Sequence, residues 1–232
     1  MTHLLFDRAG YRKYLVAEER LAFTKASFKA GGEIGTFCLT LAFTGARISE
    51  ILALTPARLD KGSSIIVFES LKRRQRGIYR AVSVPQSLLL MIEDVHKLTQ
   101  SNCDAMVRLW PWCRTTAWKR VKAMMTNAQV NAKLAMPRAA RHAFGVDAVQ
   151  NSVALNIVQK WLGHARIETT AIYADALGPK NGNWHDSRGN RSSAQYGRRV
   201  TKAVSERQSH YLATAESKIS VKIDTEPRIA TV

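Results

Sequence analysis

Only one stretch of this chain is patterned for β-structure, and that limits its fold more than any other feature. Ser64-Ile65-Ile66-Val67-Phe68 and Tyr79-Arg80-Ala81-Val82-Ser83-Val84 are short runs rich in β-branched residues, the second ending at Pro85. Two such runs flanking a polar connector predict a small antiparallel hairpin. Elsewhere apolar residues recur at helical spacing. They predict helices from Val16 to Lys29, and from Glu33 through Phe37, Leu41, Ile48 and Leu52 with a break at Gly45. Further helices are expected over Ser87 to Leu98, Thr115 to Met125, Arg138 to Gln150, Ala154 to Leu162 and Ile167 to Ala176. The expected fold class is mainly α with a small antiparallel β-sheet (α+β).

The pattern changes after residue 177. From Gly178 to Arg199 the chain is Gly, Asn, Ser and Arg with few large aliphatics, which reads as linker or disorder. A weak helical pattern at 201–217 (Val204, Tyr211, Leu212, Ala215) follows. The expected organisation is one folded body over residues 1–177 and a basic, flexible C-terminal tail over 178–232.

Charge narrows the partners. Against 18 Asp and Glu stand 35 Lys and Arg, a formal +17 over 232 residues. Such an excess attracts polyanions over long range, so nucleic acid is the first partner to consider and an anionic membrane surface the second. The longest apolar stretch, Ile34 to Phe43, is about half of what a membrane span needs. The first turns carry Asp7, Arg8, Arg12 and Lys13 rather than the apolar core of a signal peptide. Cys38, Cys103 and Cys113 have neither disulfide nor zinc-site spacing, so the chain reads as cytoplasmic with reduced thiols.

Four separated segments carry candidate chemistry. In Thr44-Gly45-Ala46-Arg47-Ile48-Ser49-Glu50, a glycine breaks the helix just before an arginine and a glutamate one turn apart. The glycine lets the turn approach a phosphate, and Glu50 can orient a neighbouring cation. Leu71-Lys72-Arg73-Arg74-Gln75-Arg76 sits at the hairpin tip, where Lys72 can reach DNA or protonate a leaving oxygen. Arg138-Ala139-Ala140-Arg141-His142 opens a helix just after Pro137, with both arginines on one face. In Leu162-Gly163-His164 the glycine reads as a helix stop that leaves His164 in a connector, and Thr169-Thr170-Ala171-Ile172-Tyr173 places Tyr173 in the next helix. Taken singly, each residue is ordinary surface or core; the order and spacing of the set are the signal.

That set resembles the tyrosine recombinases, whose marks are a Thr-Gly-x-Arg-x-Ser-Glu box, a hairpin lysine, a His-x-x-Arg box, a Leu-Gly-His box and a tyrosine in a Thr-Thr-x-x-Tyr context. Here Arg47 with Glu50, Lys72, Arg141, His164 and Tyr173 stand in that order, between roughly Tyr14 and Leu177. The first histidine of His-x-x-Arg is replaced by Arg138, which can donate to a phosphate but cannot act as a base near neutral pH. The resemblance therefore leaves the proton acceptor for Tyr173 unassigned. It also leaves no room before Tyr14 for the family's helical clamp domain, so weak binding to short DNA is expected.

By resemblance, the chain cleaves and rejoins double-stranded DNA through a 3′-phosphotyrosyl link at Tyr173, with no metal and no cofactor. Arg47, Arg138, Arg141 and His164 would stabilise the phosphate, Lys72 would protonate the 5′ oxygen, and copies would self-associate on DNA. Arg73, Arg74, Arg76 and Arg80, with Lys119, Arg120 and Lys122 on the Thr115 helix, are the expected phosphate contacts elsewhere. Two other readings stay open: a DNA-binding relic that no longer cuts, and a type IB topoisomerase that relaxes supercoils without exchanging strands.

Overall fold

A computed structural model describes residues 5–70, 77–99 and 104–174, and the structural statements below concern these residues. Lys72, Arg73, Arg74, Arg76, Cys103 and the expected tail all lie outside them.

The helical periods become helices α1 (Ala17–Ala30), α2 (Gly32–Thr44), α3 (Ile48–Leu52), α4 (Gln86–Val95), α5 (Arg114–Asn127), α6 (Pro137–Gln150), α7 (Leu155–Leu162) and α8 (Glu168–Ala171). Helix α2 is apolar on every side and packs against α1, α4, α5 and α6. A helix apolar all round belongs in a core, and Phe37, Leu39 and Leu41 are fully buried. Its threonines fit there because Thr36, Thr40 and Thr44 each donate their hydroxyl to a carbonyl four residues back. Each buried hydroxyl is thereby satisfied within its own helix.

The expected hairpin is present as β2 (Ile65–Glu69) and β3 (Tyr79–Ser83), antiparallel with Ile66 opposite Val82 and Phe68 opposite Arg80. A two-residue edge strand, β1 (Leu59–Asp60), completes the order β1-β2-β3. Period-two alternation turns Ile66, Phe68 and Val82 into the core. Among the described residues, no helix is long and apolar enough to cross a membrane.

One expected helix is shorter than its pattern. Helix α8 ends at Ala171, and Tyr173 lies beyond it in a turn rather than within the helix. The Tyr173 amide donates to the Thr170 carbonyl, three residues back rather than four. That tighter turn accompanies the burial of the phenol.

Candidate active site

Two helix ends and one helix face make the site. Helices α2 and α7 both stop at glycines in the left-handed region, Gly45 (φ 59) and Gly163 (φ 64). Such stops leave terminal carbonyls unpaired and the negative ends of two helix dipoles exposed. Arg141, on the second turn of α6, answers both: Nη1 donates to the Gly45 carbonyl at 2.7 Å and Nη2 to the Leu162 carbonyl at 2.6 Å. It is 8% exposed, and among the described residues no carboxylate pairs with it. Burial pulls its pKa down to about 9, with Arg47 the next cause, so it remains a cation at neutral pH.

Glu50 is the clamp beside it. Only 2% exposed, it accepts from the Arg47 side chain at 2.8 Å, the Arg47 backbone amide at 2.8 Å and Arg80 Nη2 at 2.6 Å. Burial pushes the Glu50 carboxyl up, but Arg80 and Arg47 outweigh it and hold its pKa below the ordinary range. Arg80 is a correction to the expected phosphate contacts. Its side chain is 8% exposed, and its Nε donates to the Trp161 carbonyl at 2.8 Å, so it ties β3 to α3 and α7 instead of reaching outward. The cause is strand alternation, which puts Arg80 on the inward face with Val82.

The phenol of Tyr173 is 1% exposed. It lies nearly parallel to the His164 ring, with centroids 6.3 Å apart, and its oxygen is 3.2 Å from His142 Nδ1. Burial raises its pKa, while Arg141, Arg138 and Arg47 pull the other way. Gly145 on α6 provides the seat, since a Cβ there would fall 2.5 Å from Tyr173 Cζ. Gly145→Ala is therefore expected to cost about 1–3 kcal/mol of stability through overpacking and to expose Tyr173 to nitration by tetranitromethane. An unchanged urea midpoint with a protected tyrosine would show that the seat tolerates a methyl group.

His164 sits in the connector after Gly163, its Nδ1 bonded to the Thr170 hydroxyl at 2.9 Å. Burial, then Arg141 and Arg47, push its pKa down to about 3. A histidine whose folded pKa is depressed adds stability above its unfolded pKa of about 6.5 and loses it as pH falls from there toward 3. Because the ring is partly exposed, lowering the pH from 7 to 5 is expected to cost on the order of 1 kcal/mol. Urea titrations at the two pH values test this, and His164→Asn should flatten the difference.

The cleft these residues line encloses about 660 Å³. It gathers Arg47, Glu50, Arg138, Arg141, His164 and Tyr173 from the sequence candidates, and adds His142, Arg114 and Trp118. Among the described residues, Arg47, Arg114, Arg138 and Arg141 face a single carboxylate, Glu50, which is already engaged. His142 had a readable signal: it is adjacent to Arg141 and one helical turn from Arg138, which donates Nε–H to its Nε2 at 3.2 Å. Arg114 and Trp118 are one turn apart on α5, and Lys122 continues that stripe with its ammonium 5.2 Å from the Trp118 ring centroid. Lys119 is exposed beside the stripe, whereas Arg120 lies on the other flank of α5 and stacks on Trp112 at 4.1 Å. No group of three or more potential metal-ligating side chains occurs among the described residues.

The sequence profile of the Phage integrase family matches residues 17–178, which contain every described residue lining this cleft. The chain belongs to the phage integrase family. Among similar proteins, tyrosine recombinase XerD of Brucella abortus biovar 1 is 31% identical over 143 residues, covering 60% of this chain and 46% of that one. XerD of Haemophilus influenzae is 28% identical over 137 residues, covering 56% and 46%. This chain thus spans less than half the length of those relatives. The phage-integrase fold is matched by the crystal structure of XerA recombinase, with TM-score 0.58, 24% identity, and coverage of 69% of this chain and 59% of that one. The catalytic domain of bacteriophage HP1 integrase matches with TM-score 0.53, 19% identity, and coverage of 70% and 86%. At these identities the two structures speak for the fold alone.

Proposed function

We propose that this chain carries the catalytic domain of a tyrosine-type site-specific recombinase, breaking and rejoining double-stranded DNA through a 3′-phosphotyrosyl intermediate. Arg141 carries the reading. It is a buried guanidinium, bonded to two helix-terminal carbonyls and paired with no carboxylate among the described residues, in one cleft with a buried tyrosine. A buried cation without an anion is costly, and a ligand bringing negative charge relieves that cost. A phosphodiester also offers the electrophile that a phenol needs. Family membership and the XerD relatives support the same reading.

In this scheme the Tyr173 oxygen forms a bond to phosphorus, its proton leaves to solvent, and the bond from phosphorus to the 5′ oxygen breaks. Lys72 supplies the proton that the 5′ oxygen takes up. Attack by the 5′-hydroxyl of another strand reverses the step, so no high-energy cofactor enters the balance. Arg47 and Arg141 present guanidinium forks to the non-bridging oxygens, where charge develops, and neutral His164 adds a hydrogen bond. These fixed cations stabilise the charge without a metal.

Lys72, Arg73, Arg74 and Arg76 on the connector, and Arg114, Lys119 and Lys122 on α5, are assigned to DNA phosphates. Affinity should accordingly fall steeply with salt. One cleft holds one Tyr173 and cuts one strand, whereas exchange between two duplexes requires four cuts. Self-association on DNA belongs to the same proposal.

The test is incubation of the purified protein, without divalent metal, with random-sequence nicked duplexes. The nick lets the short fragment diffuse away and traps an SDS-resistant adduct, whose sequenced DNA would reveal the target. DNA binding without any adduct would favour the non-cutting relic instead.

A further inference from the structure

Arg138 occupies the place of the histidine that the recombinase motif usually carries, and its partner is specific: Nε–H donates to His142 Nε2 at 3.2 Å. An arginine Nε always bears hydrogen and has no lone pair to offer. That bond needs a lone pair on His142 Nε2, which the Nε2–H tautomer and the doubly protonated cation lack. In a neutral imidazole the single proton then sits on Nδ1. That nitrogen is 3.2 Å from the Tyr173 oxygen, within hydrogen-bond range.

We propose that Arg138 locks His142 as the Nδ1–H tautomer, so that His142 donates a hydrogen bond to the oxygen of Tyr173 and stabilises the phenolate as it forms. The inference rests on the recombinase reading above. His142 touches the reacting atom and is a catalytic residue. Arg138 acts through it and is a positioning residue. A protonated Nδ1 cannot also accept the phenol proton, so His142 is not the base and that proton leaves to solvent.

The surroundings agree with this assignment. His142 and Arg141 are neighbours on α6, so one turn of helix supplies both the phosphate cation and the phenol donor. His142 is 7% exposed, yet it and Tyr173 line the cleft, so the phenol proton has a way out to solvent. Gly145, one turn beyond Arg141, leaves room for the ring to reach that donor. Burial works against ionising Tyr173, so a donor fixed at its oxygen offsets a real penalty.

Two measurements on the full chain test the proposal. Nitrogen-15 NMR of the histidine rings, with His142→Gln used for assignment, is expected to show His142 protonated at Nδ1 and unprotonated at Nε2 near neutral pH. An Nε2–H tautomer overturns the proposal, whatever the protein does to DNA. Adduct formation on the nicked duplexes is then measured in a double-mutant cycle. His142→Ala is expected to slow it about 100-fold, and Arg138→Met about 10-fold, with Arg138→Lys restoring part of the loss because it keeps a donor. Arg138→Met should add little in the His142→Ala background. An equal loss in both backgrounds would mean that Arg138 acts directly on the phosphate and overturns the lock. Failure of the wild-type protein to form any adduct removes the recombinase reading itself, and is distinct from a wrong tautomer.

Discussion

Tyr173→Phe is expected to abolish the SDS-resistant adduct and to slow strand cleavage by at least about four orders of magnitude, while the domain still folds and binds DNA. The phenyl ring fills the same seat beside His164 and over Gly145, so the packing that buries the side chain is kept. What is lost is one hydroxyl. Within the fold, its loss leaves His142 Nδ1 without that partner, a cost of about 1 kcal/mol. Stability should therefore change far less than activity. DNA affinity, carried by arginines and lysines outside the phenol, should stay within a few-fold. Gel-shift titration and adduct formation on the same DNA separate the two quantities. An adduct that survives the substitution would mean that another side chain attacks the phosphate and that Tyr173 is only a core aromatic.

How much of this site was legible in the sequence depends on how local each feature is. Gly45 and Gly163 could be read as helix stops because a glycine at the end of a helical period has a local cause. That each stop aims a carbonyl at Arg141 could not be read, since the contact joins residues 96 and 21 positions apart. The β2–β3 pair was legible from two β-branched runs, whereas β1 is two residues long and has no period to detect. Arg80 was misjudged for a related reason. A basic residue in a strand reads as exposed unless a buried carboxylate waits for it, and Glu50 lies 30 positions away. Alternation with Val82 was the available clue. The length of α8 escaped because the 167–176 period continues past the turn that swings Tyr173 toward α6. His142 was overlooked because the motif drew attention to Arg138, one turn before it on α6, and to Arg141, next to it in sequence.

Arg141→Lys is the second large expected effect, a loss of about 100- to 1000-fold in cleavage. Charge alone does not explain why. Lysine keeps a positive charge, but its single ammonium cannot bond two helix-terminal carbonyls, now at 2.7 and 2.6 Å, and still present a planar fork to a phosphate. Arg141→Met should be as inactive yet not greatly unstable, because two effects oppose. It leaves the Gly45 and Leu162 carbonyls without that donor, at about 1–3 kcal/mol each. It also removes a buried, unneutralised cation whose desolvation costs several kcal/mol. His164 supplies an independent readout. Burial is the largest cause of its low pKa and Arg141 the next, so Arg141→Met should raise that pKa and shrink the stability lost between pH 7 and pH 5. A variant that is inactive and shows the smaller acid effect has lost the cation the cleft is built around. A variant that is inactive with an unchanged acid effect would place Arg141 too far from His164 for both to meet one phosphate, and the shared site would have to be abandoned.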